Sequence, residues 1–518
     1  MRSLAHRAPA RIDRRQFLGA AATVAALLPA GRVWAEVTSA GAIPAEIPAV
    51  STDGKPVTLT AAEVKELRAG LEGKLLLAQD SGYDDARRVW NGSIDRHPAL
   101  IVRCASRNDI VHAVQFASAH SLLTAVKGGG HSLSGQSTCD GGLMIDLSLM
   151  RHIQVDKDRK LAQVGPGVLL AQLDGACQAS GLVTTLGTAA DTGIAGLTLG
   201  GGMGRLMRKL GLSCDNVRSY ELVTADGKAR KVSATEHPDL YWALRGGGGN
   251  FGVVSAFEYR LHPLAHPVLA GGRVYPFDQA RAVITGVAEL AAGAPDEVYL
   301  DCGVFNASGH GDLPQGRYAE VEFVYGGEPK DGERYLALLD KLGKPLNDTM
   351  KAKPYVVAQN GPSEAAPKSL PPGLGVYVRS GFVQTISEKF VDEMIHALQE
   401  GPPYLNDIGF GPVGGQVARV RPDATAYWNR DAEFDLLLGA SWDDHAQDEH
   451  NIAAIRDVWK VFEPLTRGYY VNTEPSASEA RLKATYGGNY ARLVQVKNQY
   501  DPKNLFRLNA NIRPSVHA

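Results

Sequence analysis

Val126–Thr138 reads V-K-G-G-G-H-S-L-S-G-Q-S-T. Three successive glycines let a backbone crowd against a ligand with no Cβ in the way, and His131, a nucleophilic side chain, stands at the mouth of the loop. Alone, such a run is equally compatible with a tight turn, so its flanks decide. Upstream, Pro98–Cys104 (P-A-L-I-V-R-C) predicts a buried strand, and Asn108–Leu122 an amphipathic helix behind a Ser106 cap. Thr124–Lys127 predicts the short strand that feeds the loop. Strand, helix, strand, glycine loop is the layout of an α/β nucleotide-binding unit.

The 518 residues exceed what one hydrophobic core supports and suggest two to four units. Apolar residues at 44% and charged ones at 21% fit a globular protein, and a net charge of −2 gives no footprint for nucleic acid. Cys104, Cys139, Cys177, Cys214 and Cys302 show neither a C-x-x-C nor a zinc spacing, so no metal is expected. Their odd number argues against a disulfide framework, although one pair stays open after export.

The first 35 residues read as a signal peptide rather than structure. Arg7, Arg11, Arg14 and Arg15 are basic, Phe17–Leu28 is an apolar run too short to span a bilayer, and Val33-Trp34-Ala35 offers a cleavage site. Arg14-Arg15-Gln16-Phe17-Leu18 resembles the twin-arginine export signal. The expectation is a bacterial periplasmic or secreted protein that meets the Tat translocon, folds before export and has no stable membrane anchor.

Outward from the loop, residues 36–54 read as a linker, and Thr60–Leu76 as a helix opened by a Thr60/Glu63 capping box. Leu143–Leu147 predicts a strand, Ile153–Val164 a hairpin, and Leu169–Ala179 a helix closed by Gly181. A second glycine cluster runs from Gly193 to Gly204, and a hairpin turns at Asp226-Gly227. A third cluster, Arg245–Gly252, opens a strand that reaches Leu261. Neither later cluster fits the Rossmann fingerprint, and no Walker A, H-E-x-x-H or G-x-S-x-G sequence is present. Beyond Gly272, strands at Glu297–Phe305, Arg317–Tyr325, Gly375–Gln384 and Phe434–Trp442 alternate with helices at Gln279–Ala292, Gly332–Leu342, Glu388–Gln399 and Asn451–Leu465. That texture predicts a mostly antiparallel sheet with helices on one face.

Five blocks then become specific together: K-G-G-G-H-S (127–132), G-L-M-I-D-L-S-L-M-R (142–151), G-L-T-L-G-G-G-M-G-R-L-M-R-K-L-G-L (196–212), D-L-Y-W-A-L-R-G-G-G-G-N-F-G-V-V (239–254) and Y-D-P-K-N-L-F (500–506). In this order they resemble the berberine-bridge-enzyme-like FAD-linked oxidases with a PCMH-type FAD-binding domain. The resemblance implies an α+β fold in which a two-part FAD domain, residues 55–268 completed by a C-terminal segment at 466–518, encloses an inserted substrate domain at 269–465. It also implies a flavin lying between them.

By motif match, the resemblance makes His131 the covalent attachment point of the FAD. Lys127, Gly128, Gly129, Gly130, Ser132, Gln136 and Ser137 would flank the pyrophosphate; Thr192, Gly193, Gly196 and Thr198 come from the second cluster. Asn250, Gly252, Val253 and Val254 come from the third, and Asn472 from the tail. Many members carry a second link through a cysteine in G-x-C-P-T; Ala189 stands at the matching place, so a single link is expected. Cys214 is read as a small buried hydrophobe.

The implied reaction moves a hydride from a small alcohol, sugar or phenolic substrate to the flavin and onward to oxygen, with a base taking the neighbouring proton. A tailoring oxidase of secondary metabolism and a dehydrogenase with another acceptor are the alternatives. The glutamate that serves plant members in G-G-x-M-x-E-I is replaced by Arg419, and their F-P-H-R becomes Tyr427-Trp428-Asn429-Arg430. The tyrosine of Y-x-N in bacterial members matches Tyr470. Tyr470 and Arg419 are therefore the catalytic pair expected, the cation lowering the phenol's pKa and favouring an anionic substrate over an amine. Thr192 falls where related proteins control oxygen access.

Overall fold

A computed structural model of the chain describes residues 42–308, 313–360, 373–473 and 478–515. The export signal read at 1–35 lies outside them. Among the described residues, no helix is long and apolar enough to cross a membrane.

The strand and helix signals around the glycine loop become a small α/β layer. Leu100–Arg103, Leu143–Asp146 and Thr124–Lys127 lie parallel, with Lys74–Leu76 added antiparallel at the edge. The helix Arg107–Ala119 begins at a capping box in which Ser106 and Asp109 bond each other's backbones, and it buries Ile110, Ala113, Val114 and Ala117 against the strands. Asp109 also accepts from the amides of Glu72 and Gly73, tying the edge strand to the helix start. The capping box at Thr60 is present, but that helix stops at Ala69, and Leu75 lies on the edge strand. A three-residue strand won the segment because a partner was there to pair with it. Residues 46–50, read as linker, form a strand antiparallel to Pro56–Thr60.

An antiparallel sheet follows, ordered Ala229–Ser233, Val217–Val223, Val253–Arg260, Leu161–Val164, Ile153–Asp156. Its core joins residues from the tail, including Tyr469, Val471, Tyr486, Leu493 and Ile512. The tail is clamped there by Lys497, fully buried, whose Nζ donates to the Asn250 and Phe506 carbonyls and pairs with Asp501 at 2.6 Å. Asp501 in turn accepts from the amides of Leu505 and Phe506.

The remaining layer is an antiparallel sheet that includes Val268–Pro276, Gly316–Tyr325, Val298–Ala307, Leu405–Pro412, Phe434–Trp442 and Gly375–Val383, neighbours in that order. The helices Ala280–Gly293, Pro329–Leu339, Glu388–Glu400 and Asp448–Trp459 contribute to the same core on one side of it. Alternate strand residues such as Leu300, Cys302, Val304, Ile408, Phe410, Leu436 and Leu438 point into that core. Period-two geometry then sends their neighbours to the opposite face.

Candidate functional site

That opposite face and the glycine loops enclose a cavity of about 590 Å³. One wall is built by close backbone approach. A Cβ on Gly129 would lie 2.4 Å from the Gly193 Cα, so the first and second glycine clusters touch because neither carries a side chain. Gly130 has φ +76°, the left-handed region that glycine occupies without strain, and its carbonyl accepts from the Trp90 amide at 2.8 Å. The turn presents His131 to the cavity. The imidazole stacks on Trp90, with centroids 4.3 Å apart, and its Nε2 lies 3.6 Å from Asp191 Oδ1.

Gly128, Gly129, Gly130, Ser132, Gln136, Ser137, Thr192, Gly193, Gly196, Gly252, Val253, Val254 and Asn472 line the same cavity, as does Tyr470. Gln136 Oε1, Ser137 Oγ and Asn509 Oδ1 are buried along it with no hydrogen-bond partner among the described residues. Unpaired polar atoms against a glycine cradle fit a ligand rich in hydroxyls and phosphates, which a dinucleotide is.

Four expected residues lie elsewhere. Lys127 turns away from the cavity, its Nζ donating to the carbonyls of Ala86 and Arg88, so it anchors the loop from behind; burial pushes its pKa down. Thr198 is hydrogen-bonded to Tyr259 in the core at 2.7 Å. Asn250 is fully buried, donating to Gly247 and Ala510 carbonyls and accepting from the Ile512 amide, which staples the tail to the third cluster. Arg419 closes the short helix Gly415–Arg419 on the surface, paired with Asp296, and neither lines the cavity nor touches Tyr470. Polar character in a glycine-rich motif marked these residues, but Lys127 and Asn250 satisfy backbone groups, Thr198 bonds a buried tyrosine hydroxyl and Arg419 is solvated. All five cysteines are buried and unpaired; burial pushes the Cys214 thiol up, as expected for a small hydrophobe.

Tyr470 reaches the cavity from the tail. Its phenolic oxygen accepts from the amides of Gly202 and Met203 at 3.1 and 3.3 Å and from Asn472 Nδ2 at 2.7 Å. Asn472 is oriented by a second donation to the Leu197 carbonyl and packs so tightly that a Cβ on Gly200 would meet its Oδ1 at 2.0 Å. All three neighbours donate, so the phenol's own hydrogen needs an acceptor other than these. Burial pushes its pKa up to about 12, with Asp435 adding to the rise and the three donors opposing it.

The facing sheet carries residues that motif reading missed. Asp301, Asp407 and Asp435 line the cavity from three adjacent strands. Burial raises all three, Asp407 to about 7 and Asp435 to about 8, and their neighbours' negative charge adds to the rise at Asp301 and Asp407. A signal was present in the sequence: Asp301-Cys302-Gly303 and Asp407-Ile408-Gly409-Phe410-Gly411 alternate a small or acidic residue with an apolar one, the pattern of a strand with one recessed polar face.

A split α/β nucleotide cradle closed by a distant tail, facing an antiparallel sheet across one cavity, defines a two-part FAD-binding oxidoreductase. A family model for an FAD binding domain matches residues 98–233, and one for berberine and berberine-like proteins matches residues 469–513. An uncharacterised FAD-linked oxidoreductase of Bacillus subtilis is 30% identical over 86% of this chain and 97% of that protein. (R)-6-hydroxynicotine oxidase of Paenarthrobacter nicotinovorans is 30% identical over 86% of this chain and 97% of its own length. The crystal structure of 6-hydroxy-D-nicotine oxidase from Arthrobacter nicotinovorans superposes with a TM-score of 0.75 at 28% identity, covering 86% of this chain and 98% of that one. The chain belongs to the berberine-bridge-enzyme-like FAD-linked oxidoreductases.

Proposed function

We propose that the protein is an oxidase that carries its FAD on a single covalent bond to His131 and removes a hydride from a C–H beside a heteroatom of a small molecule, with oxygen as the final acceptor. The observation that carries the reading is the placement of His131 and Tyr470 on one cavity between the glycine loops and the sheet. When bound, the flavin supplies the hydride acceptor and the route for electrons to oxygen.

The chain's own residues do the rest. His131 is held by Trp90 on its face, with Asp191 beside Nε2, and would attach through a ring nitrogen. With Ala189 where a second link would need a cysteine, and Cys214 buried in the core, His131 is the sole attachment point. Gln136, Ser137 and Asn509 offer the polar atoms that lack protein partners. Tyr470, once its own proton has left to solvent, would receive the substrate proton on an oxygen held by three N–H donors. Thr192 at the cavity wall keeps the space beside the flavin small but open to oxygen.

The substrate classes implied by motif match are alcohols, sugars and phenols. Arg419, expected to favour anionic substrates, is paired with Asp296 outside the cavity and exerts no such preference there. Twin-arginine export to the periplasm completes the reading, with cofactor loading before transit. The test is anaerobic flavin reduction against a panel of alcohols, sugars, phenols and amines, followed by peroxide detection in air. Bleaching with at least one compound and stoichiometric peroxide is expected; a flavin that no panel member bleaches would mark a binding protein instead.

A further inference from the structure

The geometry points to a cationic substrate: the sheet face opposite the flavin cradle is a receptor for a positively charged nitrogen, seated over Asp301, Asp407 and Asp435. This deepens the oxidase reading and rests on it for the orientation of the substrate, though not for the binding itself.

The argument begins with register. Gly303 pairs with Gly409, Phe305 with Asp407, Gly411 with Asp435, and Asp407 with Gly439. Residues directly opposite share a face, so the three aspartates stand on one surface with glycines between them. A Cβ on Gly439 would come 2.7 Å from Asp407 Oδ1, and one on Gly409 would come 3.4 Å from Asp301 Oδ1. The carboxylates therefore sit in a recess that side chains would fill.

Charge makes the recess unusual. Carboxylates drawn together and away from water either keep a proton or hold a cation. Among the described residues, none of these three has an ion-pair partner. Asp435 Oδ1 is buried with no hydrogen bond, and Asp301 has only the Tyr299 hydroxyl at 3.2 Å. The neighbouring cations are committed: Arg205 to Glu322 and Gln359, Arg430 to Asp215 in a bidentate pair, and Arg208 to the Ala294 carbonyl. Among the described residues, the other groups that act on the floor add no positive charge. They are Glu320 and Glu322 from the adjoining strand, Tyr299 from the central one, and Tyr427 and Tyr470 across the cavity. Burial raises the pKa values of all three aspartates, and no countercharge opposes the rise. A cation over Asp435 would also cancel the charge that helps hold the Tyr470 proton, linking substrate binding to base strength.

The test is calorimetric titration of the holoprotein with quaternary ammonium ions from choline to benzyltrimethylammonium, alongside 3,3-dimethylbutan-1-ol, the neutral isostere of choline, and cellobiose. Permanent cations keep their charge at every pH, so any pH dependence belongs to the protein. At least one cation is expected to bind roughly tenfold or more tightly than the neutral compounds at pH 8, the worth of one desolvated ion pair. Its affinity should rise between pH 6 and 9 as the aspartates ionise. Asp407→Asn and Asp435→Asn should each weaken the cation about five- to tenfold while leaving the isostere unchanged, which also shows that the variants are folded. Equal affinity for cation and isostere, cellobiose bound in preference, or no binding by any ammonium ion would overturn the inference. Calorimetry needs no turnover, so a protein that binds these ions yet has its flavin bleached by no member of the alcohol, sugar, phenol and amine panel would refute the oxidase reading and leave the receptor standing.

Discussion

The glycine-loop wall of the cavity meets its ligand with backbone, and its fit depends on side chains that are missing; the facing sheet meets its ligand with carboxylates, and its fit depends on a charge that the protein itself leaves unbalanced. Contact by backbone tolerates little change, because a Cβ at Gly129 or Gly193 would drive two loops apart. Contact by charged side chains on a strand can be rewritten one residue at a time without disturbing the hydrogen-bonded ladder. The molecule thus separates a fixed chemistry from an adjustable specificity.

Tyr470 bridges the two walls, and its removal is the largest single break. Tyr470→Phe should lower kcat by about 10²- to 10⁴-fold, the usual worth of a positioned acid–base group. In the wild type, kcat/KM should climb with pH through the alkaline range, since a base must be deprotonated and burial holds this phenol at about 12; stopped-flow reduction over a pH series would show the slope vanish in the variant.

His131→Ala should leave the acid-precipitated pellet colourless with FAD in the supernatant, whereas Cys214→Ala should keep the yellow colour in the pellet. Colour lost from the cysteine variant would sink the single-link reading.

Lys497→Met breaks the clamp behind the loop wall. It strips a fully buried carboxylate of its partner, so urea denaturation should show a loss of about 3–5 kcal/mol.

On the acidic side, Asp407 and Asp435 have folded pKa values raised above the unfolded carboxylate value. Their favourable contribution is complete below the unfolded pKa near 4 and is lost as pH rises toward about 7 and 8, because the folded state binds more protons across that window. Thermal melts from pH 4 to 8 should therefore decline, and Asp435→Asn should flatten the decline. The smallest effect is expected at Arg419→Ala, which should leave kcat and KM unchanged because the side chain is solvated and far from the cavity.

The same division explains what was legible in the sequence. Motifs of the loop wall are local: Gly128–Ser132 and Gly193–Gly196 announce themselves as runs, and nearly every glycine singled out lines the cavity. Lys127, Thr198 and Asn250 stand beside or within the glycine clusters, but Lys127 and Asn250 serve the backbone behind them and Thr198 bonds the buried Tyr259 hydroxyl, a distinction made by three-dimensional packing and invisible in spacing. The strand Leu405–Pro412 passed unread, since two glycines, a proline and an aspartate are poor strand formers by propensity. It exists because partners on both sides supply its hydrogen bonds. The acidic floor arises only when three strands far apart in sequence fall into register, and no single segment carries it.

The tail residues Tyr470–Thr473, Phe506 and Leu508–Ala510 contribute lining to a cavity whose glycine loops were synthesised more than two hundred residues earlier. A nascent chain still emerging from the ribosome therefore owns the cradle without its lid. A chain stopped between Trp459 and Tyr470 would carry the finished sheet but neither the tail's share of the cavity wall nor the Lys497 clamp behind it.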